Sequence, residues 1–362
     1  MTALADALLR RIAAGGPITV ADYMAECLMH PDHGYYSTRD PFGQAGDFVT
    51  APEISQMFGE LLGLCLAQSW IDQGSPSPFA LAELGPGRGT LMADLLRATR
   101  SVPGFHRAAN LCLVETSPVL RDVQARTLAA RAKDLATPPR WLDATSDLPA
   151  MPLFLIANEF IDALPIRQFQ REALWHERLV GAVDGALSFG LSPPLSLPPV
   201  GPPFDGCPRG GLVEVCPVAH VVMQDVASRI RSRGGVAVVI DYGGWRSLGD
   251  TLQALRNHAP DDPLAHPGEA DLTAHVDFEA LCRAAGLPHS GLTTQGDLLR
   301  RLGIDARAAV LANRVRGSAL ASHLAAHRRL TDGAEMGSLF KAIAFHAHGA
   351  PPPPGFDPHP DA

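Results

Sequence analysis

From residue 79 onward, short, largely apolar runs alternate with stretches in which apolar positions recur every three or four residues. The runs at 79–84, 111–114 and 152–157 (PLFLIA), with a shorter one at 140–142, predict strands. The stretches 90–100 and 118–133 predict helices. An apolar run of that length suits a strand covered on both faces, whereas the longer period suits a helix with one buried face. Strands alternating with helices predict βαβ units and therefore a parallel sheet.

After residue 164 the rhythm shortens to alternation in RQFQ and LWHERLVGAVDGALSFGL, with Asp184-Gly185 as a turn signal. This predicts a β-meander inserted at 166–215. A Pro/Gly-rich loop follows at 192–211, then strand-like LVEV, a helix at 219–233 and the apolar strand GGVAVVIDYGG, which returns to the parallel core. A helix at 278–285, helical material at 295–328 and a last strand, SLFKAIAFHA, complete the pattern. The tail, 351–362, has a composition expected to be disordered. The fold class predicted is α/β and Rossmann-like, with a seven-stranded, mostly parallel sheet whose last strand is antiparallel.

The junction between the first strand and its helix reads AELGPGRGTLMADLL, residues 82–96. Gly85, Pro86, Gly87 and Gly89 predict a sharp turn that a ligand can approach without a Cβ in the way. A triphosphate loop needs Lys and Ser/Thr after its glycines, and this turn has neither. A dinucleotide fingerprint places its third glycine one residue later than Gly89. Glu83 discriminates further, because a carboxylate beside the turn repels a pyrophosphate yet suits an ammonium and a sulfonium. Glu115, at the end of the second strand, is placed to accept both hydroxyls of a ribose. Together these residues predict S-adenosylmethionine as cofactor; the plainer alternative is a junction whose glycines serve close packing only.

Composition narrows the class. The chain has 362 residues, 46% of them hydrophobic, enough for a large core with an appended lobe. A net charge of -8 argues against a surface dedicated to nucleic acid or anionic lipid. No apolar run reaches the length of a membrane span. The opening MTALADALLRRIAAGG reads as a first helix and not as a targeting peptide. Six cysteines without a CxxC pair fit buried thiols in a reducing compartment, with cytoplasm the simplest expectation. His30 and His33 form HxxH, and His346 and His348 form HxH, but neither pair has a third ligand at metal spacing. No metal is expected.

The segments GPITVADYMAECLMHPDHGYY, GDFVTAPEISQMFGE, ELGPGRGTLMADLLR, VETSPVL, ANEFIDALPIRQF, VEVCP, VVIDYGG and GEADLTAHVDF resemble the MidA family of class I S-adenosylmethionine-dependent methyltransferases. That family includes the mitochondrial complex I assembly-factor branch. The resemblance covers most of the chain; it implies methylation of arginine in a protein, such as a core subunit of respiratory complex I. The lack of a presequence points to the bacterial branch and a cytoplasmic location. Two alternatives are a non-catalytic assembly chaperone that retains the cofactor fold and a dinucleotide-dependent oxidoreductase.

Ligands of open parallel sheets bind beyond the carboxyl ends of the strands. Asn158, Glu159 and Asp162 fall there, with Asn158 expected at the cofactor. A guanidinium acceptor needs carboxylates to grip and orient it, so Glu159 is the first catalytic candidate and Asp162 the second. If the segment after Asn158 is helical, these two carboxylates share a face. Gly46, Asp47, Thr50 and Pro52 read as a lid or floor over the cofactor, or else as a surface turn capped at Thr50. Asp241, Tyr242, Asp271, Thr273, His275 and Asp277 are candidates for a peptide groove, although Asp277 suits a helix cap better. The predicted organisation is a leading segment at 1–78 covering the cofactor site, a cofactor-binding core at 79–250, and a part at 251–350 that completes the sheet and the substrate lobe.

Overall fold

A computed structural model describes residues 2–38, 50–197, 201 and 204–359. The chain divides into two compact units. The larger comprises Val49–Phe160, Val222–Gly243 and Leu281–Ala362; the other comprises Met1–Phe48, Ile161–Val221 and Gly244–Ala280.

Among the described residues, seven strands form the continuous order of an eight-stranded sheet: β1 (Phe79–Leu84), β2 (Ala109–Val114), β3 (Arg140–Leu142), β4 (Leu153–Asn158), β5 (Gly235–Gly244), β6 (Thr293–Thr294) and β7 (Phe340–His346). Their order is β6-β7-β5-β4-β1-β2-β3. Neighbours from β3 through β5 are parallel, while β7 runs antiparallel to β5 and to β6. This is the methyltransferase-like arrangement expected, with the antiparallel strand where the pattern put it. The long apolar runs follow from burial, since every residue of β1 and of β4 is buried. In register, Leu84 lies opposite Val114 and Ala157, and Ile240 lies opposite Asn158. The parallel strands therefore end along one edge, and the strand order reverses between β1 and β4.

Three helices support that edge: α1 (Gln56–Asp72), α2 (Thr90–Thr99) and α3 (Pro118–Leu128). Ser55 caps α1 through the Met57 N–H, and Ser117 caps α3, which starts on Pro118. On α1, Gly59 and Gly63 let α2 approach closely: a Cβ at 63 would stand 2.7 Å from Leu95 Cγ, and one at 59 would stand 2.8 Å from the Leu91 carbonyl oxygen. Helix α3 ends at Leu128, not at 133 as expected, and only a short 3₁₀ turn, Ala132–Asp134, follows. Beyond Leu128 no residue of this stretch is buried, and helical propensity without tertiary packing does not sustain a helix. The predicted helical stretch at 295–328 is three helices, Gln295–Arg301, Ile304–Ala312 and Gly317–Thr331. Gly303 and Gly317, both at positive φ, stand at the two breaks.

The expected disordered tail is also corrected. Phe356 is buried in the core, the Gly291 N–H donates to the Asp357 carbonyl at 3.0 Å, and Arg301 pairs with the Asp357 carboxylate at 2.7 Å. One aromatic side chain and a few directed bonds hold 351–359 in spite of its proline-rich composition.

The other unit contains helices Ala3–Gly15 and Val20–Met29, capped by Thr2 and Thr19. Its larger sheet runs in the order Ile18–Thr19, Trp175–Val183, Arg167–Arg171, Leu212–Val215, with Ala186–Leu191 also on Trp175–Val183. Arg167–Arg171, Trp175–Val183 and Ala186–Leu191 form the antiparallel meander, and Asp184 and Gly185 turn it at positive φ. The stretch 1–78 thus divides, with Gln56–Asp72 in the larger unit and residues 2–38 in this one. No helix among the described residues is long and apolar enough to cross a membrane.

Candidate functional site

The turn after β1 lies at the switch point of the sheet. Gly85, Gly87 and Gly89 have φ of +59°, +53° and +80°. Such values carry little penalty only without a Cβ. The Gly85 N–H donates to the Val114 carbonyl at 3.0 Å, and the Gly89 N–H donates to the Pro86 carbonyl at 2.8 Å. The turn is therefore tied to the end of β2 and folded on itself. At Gly85 a Cβ would also meet Phe160 Cδ2 at 2.8 Å.

Glu83 sits at the end of β1 with 3% of its surface exposed, and its Oε2 has no hydrogen-bond partner within the protein. Burial pushes its pKa up to about 8. A buried carboxyl with an unsatisfied oxygen is costly to the fold alone, and a cationic ligand offsets that cost. One strand away, Glu115 accepts the Ser117 N–H at 2.8 Å on Oε1 and the Gln124 side-chain amide at 3.2 Å on Oε2. Burial raises its pKa, and those two hydrogen bonds pull it back in part. Gln124 was not anticipated. The clue in the sequence was its position on α3, between Leu120 and Leu128 on the buried stripe, where a polar residue stands out.

At the end of β4 the Asn158 amide donates to Glu159 Oε1 at 3.2 Å, while its own Oδ1 is buried without a partner. Glu159 has φ of +50°, and its Oε1 also accepts the Ala51 N–H at 3.1 Å. Ala51 opens the short helix Ala51–Ile54, with Thr50 at the cap position. Thr50 makes no side-chain capping bond, so Glu159, distant in sequence, satisfies the helix's first N–H instead. Pro52 lies in the first turn, where a missing N–H costs nothing. Glu53, also unanticipated, accepts the Thr90 hydroxyl and has Arg88 at 3.9 Å. Residues 50–54 are thus fastened to both β4 and the glycine turn. Gly46 and Asp47 lie outside the described residues.

The shared helical face expected for Glu159 and Asp162 does not form. Residues 159–166 contain no helix, because Glu159 adopts a left-handed backbone directly after the strand. Asp162 belongs to the other unit; it is buried, and its carbonyl accepts the Ala274 N–H at 3.0 Å. In that unit Asp271 accepts the Tyr36 hydroxyl at 2.9 Å, and Thr273 lies on the same strand. Asp277 caps the helix Phe278–Ala285 through the Ala280 N–H at 2.7 Å, and the His275 N–H donates to the Thr251 hydroxyl. In the larger unit Asp241 is buried on β5 and accepts the Tyr242 N–H. The His30 and His33 rings stack at 5.1 Å. Among the described residues, no group of three or more His, Cys, Asp or Glu side chains is arranged to hold a metal.

Residues 61–297 match the model of a family described as S-adenosyl-L-methionine-dependent methyltransferase. The chain belongs to this methyltransferase family. Among curated relatives, the mitochondrial protein arginine methyltransferase NDUFAF7 of Xenopus tropicalis is 40% identical, over 94% of this chain and 84% of the relative. The human protein of that name is 36% identical, over 94% and 82%. A crystal structure of a superfamily member from Burkholderia thailandensis, bound to S-adenosylhomocysteine, superposes with a TM-score of 0.82 at 33% identity, covering 98% of this chain and 94% of that one.

The cofactor is S-adenosylmethionine. The residues present fit it: a buried, partly unsatisfied acid suits a cation, a glycine turn leaves room for a close approach, and a second acid lies one strand away. The dinucleotide alternative is set aside by the same family match. The expected bacterial cytoplasmic location does not stand, because the curated relatives are named as mitochondrial proteins. The thiols that suggested it are free, which suits any reducing compartment and does not single out the cytoplasm.

Proposed function

We propose that this methyltransferase methylates an arginine side chain in a protein, and that a subunit of respiratory complex I is its substrate. The reading is supported by the names of the curated relatives, which are protein arginine methyltransferases, and it rests chiefly on the Glu159 carboxylate at the carboxyl end of β4. When bound, S-adenosylmethionine supplies a methyl group on a sulfonium. In this reading Glu83 receives the cationic end of the cofactor, Gly85, Pro86, Gly87 and Gly89 line it, and Glu115 receives its ribose. Asn158, Thr50 and Pro52 complete the seat. Glu159 grips the acceptor guanidinium and aims one nitrogen; a carboxylate suits this role because it takes two parallel N–H bonds from a planar cation. The left-handed backbone at Glu159 turns its side chain away from the strand's pleat, a strain of the kind that gathers at functional positions.

Glu159→Gln keeps the shape and removes the charge. With purified complex I subunits as acceptors and methylation followed by mass spectrometry, the parent protein is expected to modify arginine. The variant is expected to do so about 100-fold more slowly. Its affinity for S-adenosylhomocysteine should stay within about threefold of the parent, since the substitution removes no group assigned to the cofactor. Methylation at the parental rate, or of lysine in place of arginine, would overturn the reading.

A further inference from the structure

The α3 side chain Gln124 is fully buried and makes three hydrogen bonds, each to a different element. Its Nε2 donates to the Gly87 carbonyl at 2.8 Å and to Glu115 Oε2 at 3.2 Å. Its Oε1 accepts the Trp141 indole N–H, from β3, at 2.7 Å. An indole N–H only donates, so the amide oxygen must face Trp141 and the NH₂ must face the turn and the acid. The orientation of the amide is therefore dictated chemically. Gly89 lies alongside: a Cβ there would stand in van der Waals contact with Gln124 Cα at 3.4 Å.

We infer that Gln124 is a positioning residue that sets selectivity for the ribose of the cofactor, by joining the Glu115 carboxylate to the glycine turn. The inference rests on the reading that Glu115 receives the ribose hydroxyls. Apart from Gln124, Glu115 is steadied by backbone N–H groups just after it, the Ser117 N–H on Oε1 and that of Thr116. Without the Gln124 donor, Oε2 loses the hydrogen bond that ties it to α3, and the carboxylate is less firmly aimed at the hydroxyls. The Gly87 carbonyl is freed at the same time, in a turn whose three left-handed glycines give it many alternative conformations. One side chain thus couples the two halves of the seat, and the cofactor acts on Gln124 only through the groups it holds.

The test compares S-adenosylhomocysteine with its 2′-deoxy analogue, by calorimetry, on the parent and on Gln124→Met. Methionine fills a similar volume and cannot donate. The parent should prefer the hydroxylated ligand by about tenfold or more. In Gln124→Met that preference should shrink to within about threefold, because the loss falls on the hydroxylated ligand. A merely structural role would weaken both ligands by the same factor, and that result overturns the inference. A parent that binds both ligands equally would refute the ribose reading of Glu115 and this inference with it. Should Gln124→Met fail to fold, Trp141→Phe leaves Gln124 in place but releases its amide to rotate. It should reduce the preference in the same direction, and an undiminished preference in Trp141→Phe would overturn the inference.

Discussion

Replacing Glu83 with glutamine is expected to stabilise the ligand-free protein and to cost it most of its affinity for S-adenosylmethionine. Burial raises the pKa of this carboxyl from 4.5 to about 8. Between those values the folded chain holds a proton that the unfolded chain has released, so stability falls as pH rises through the window and levels off above it. Each pKa unit corresponds to about 1.4 kcal/mol, which makes the penalty at pH 8 on the order of a few kcal/mol. Glutamine does not titrate and escapes it. The melting temperature of the ligand-free variant should therefore exceed that of the parent by several degrees at about pH 8 and by much less at about pH 5. Affinity should move the other way, by roughly 100-fold, because a desolvated carboxylate facing a cation is lost. A stability difference that does not change with pH would contradict the assignment of the buried charge.

The second large effect is expected at Gly85. Alanine there meets two obstacles: a backbone at φ +59° and a Cβ 2.8 Å from Phe160 Cδ2. The left-handed conformation costs about 1–2 kcal/mol for an L-residue, and the overlap costs about 1–3 kcal/mol more. Gly85→Ala should lower the melting temperature and abolish measurable binding of S-adenosylhomocysteine. Adding Phe160→Leu removes the ring edge but leaves the backbone penalty, so the double variant should recover part of the stability and not all of it. Full recovery, or none, would show that only one of the two obstacles acts.

The parallel sheet was legible because its signal is local. Runs such as 79–82 and 152–157 are apolar throughout, and an acid that follows such a run beside glycines is conspicuous at Glu83. Asp162 shows where local reading ends. Helical periodicity after Asn158 is plausible on residue type alone, but the backbone at Glu159 breaks it at once. What holds Glu159 is the N–H of Ala51, 108 residues earlier, and no pattern in either stretch announces the contact. Glu53 was missed for the same reason, since its partner Thr90 is 37 residues away. The tail failed differently: proline and glycine content signals disorder, whereas residues 351–359 are held by the buried Phe356 and by directed bonds to Asp357. Gln124 lay between these cases, visible as a polar interruption of a buried stripe but without any sign of what it touches.

If the proposed seat sets the cation of S-adenosylmethionine against Glu83, whose pKa burial raises to about 8, binding expels a proton, and the proton inventory of binding tests this directly. Calorimetric titration of S-adenosylmethionine at about pH 7, in buffers of different ionisation enthalpy, should reveal the release of nearly one proton per molecule bound to the parent and none from Glu83→Gln. Heats independent of the buffer in the parent protein, with affinity unchanged in the variant, would contradict the account.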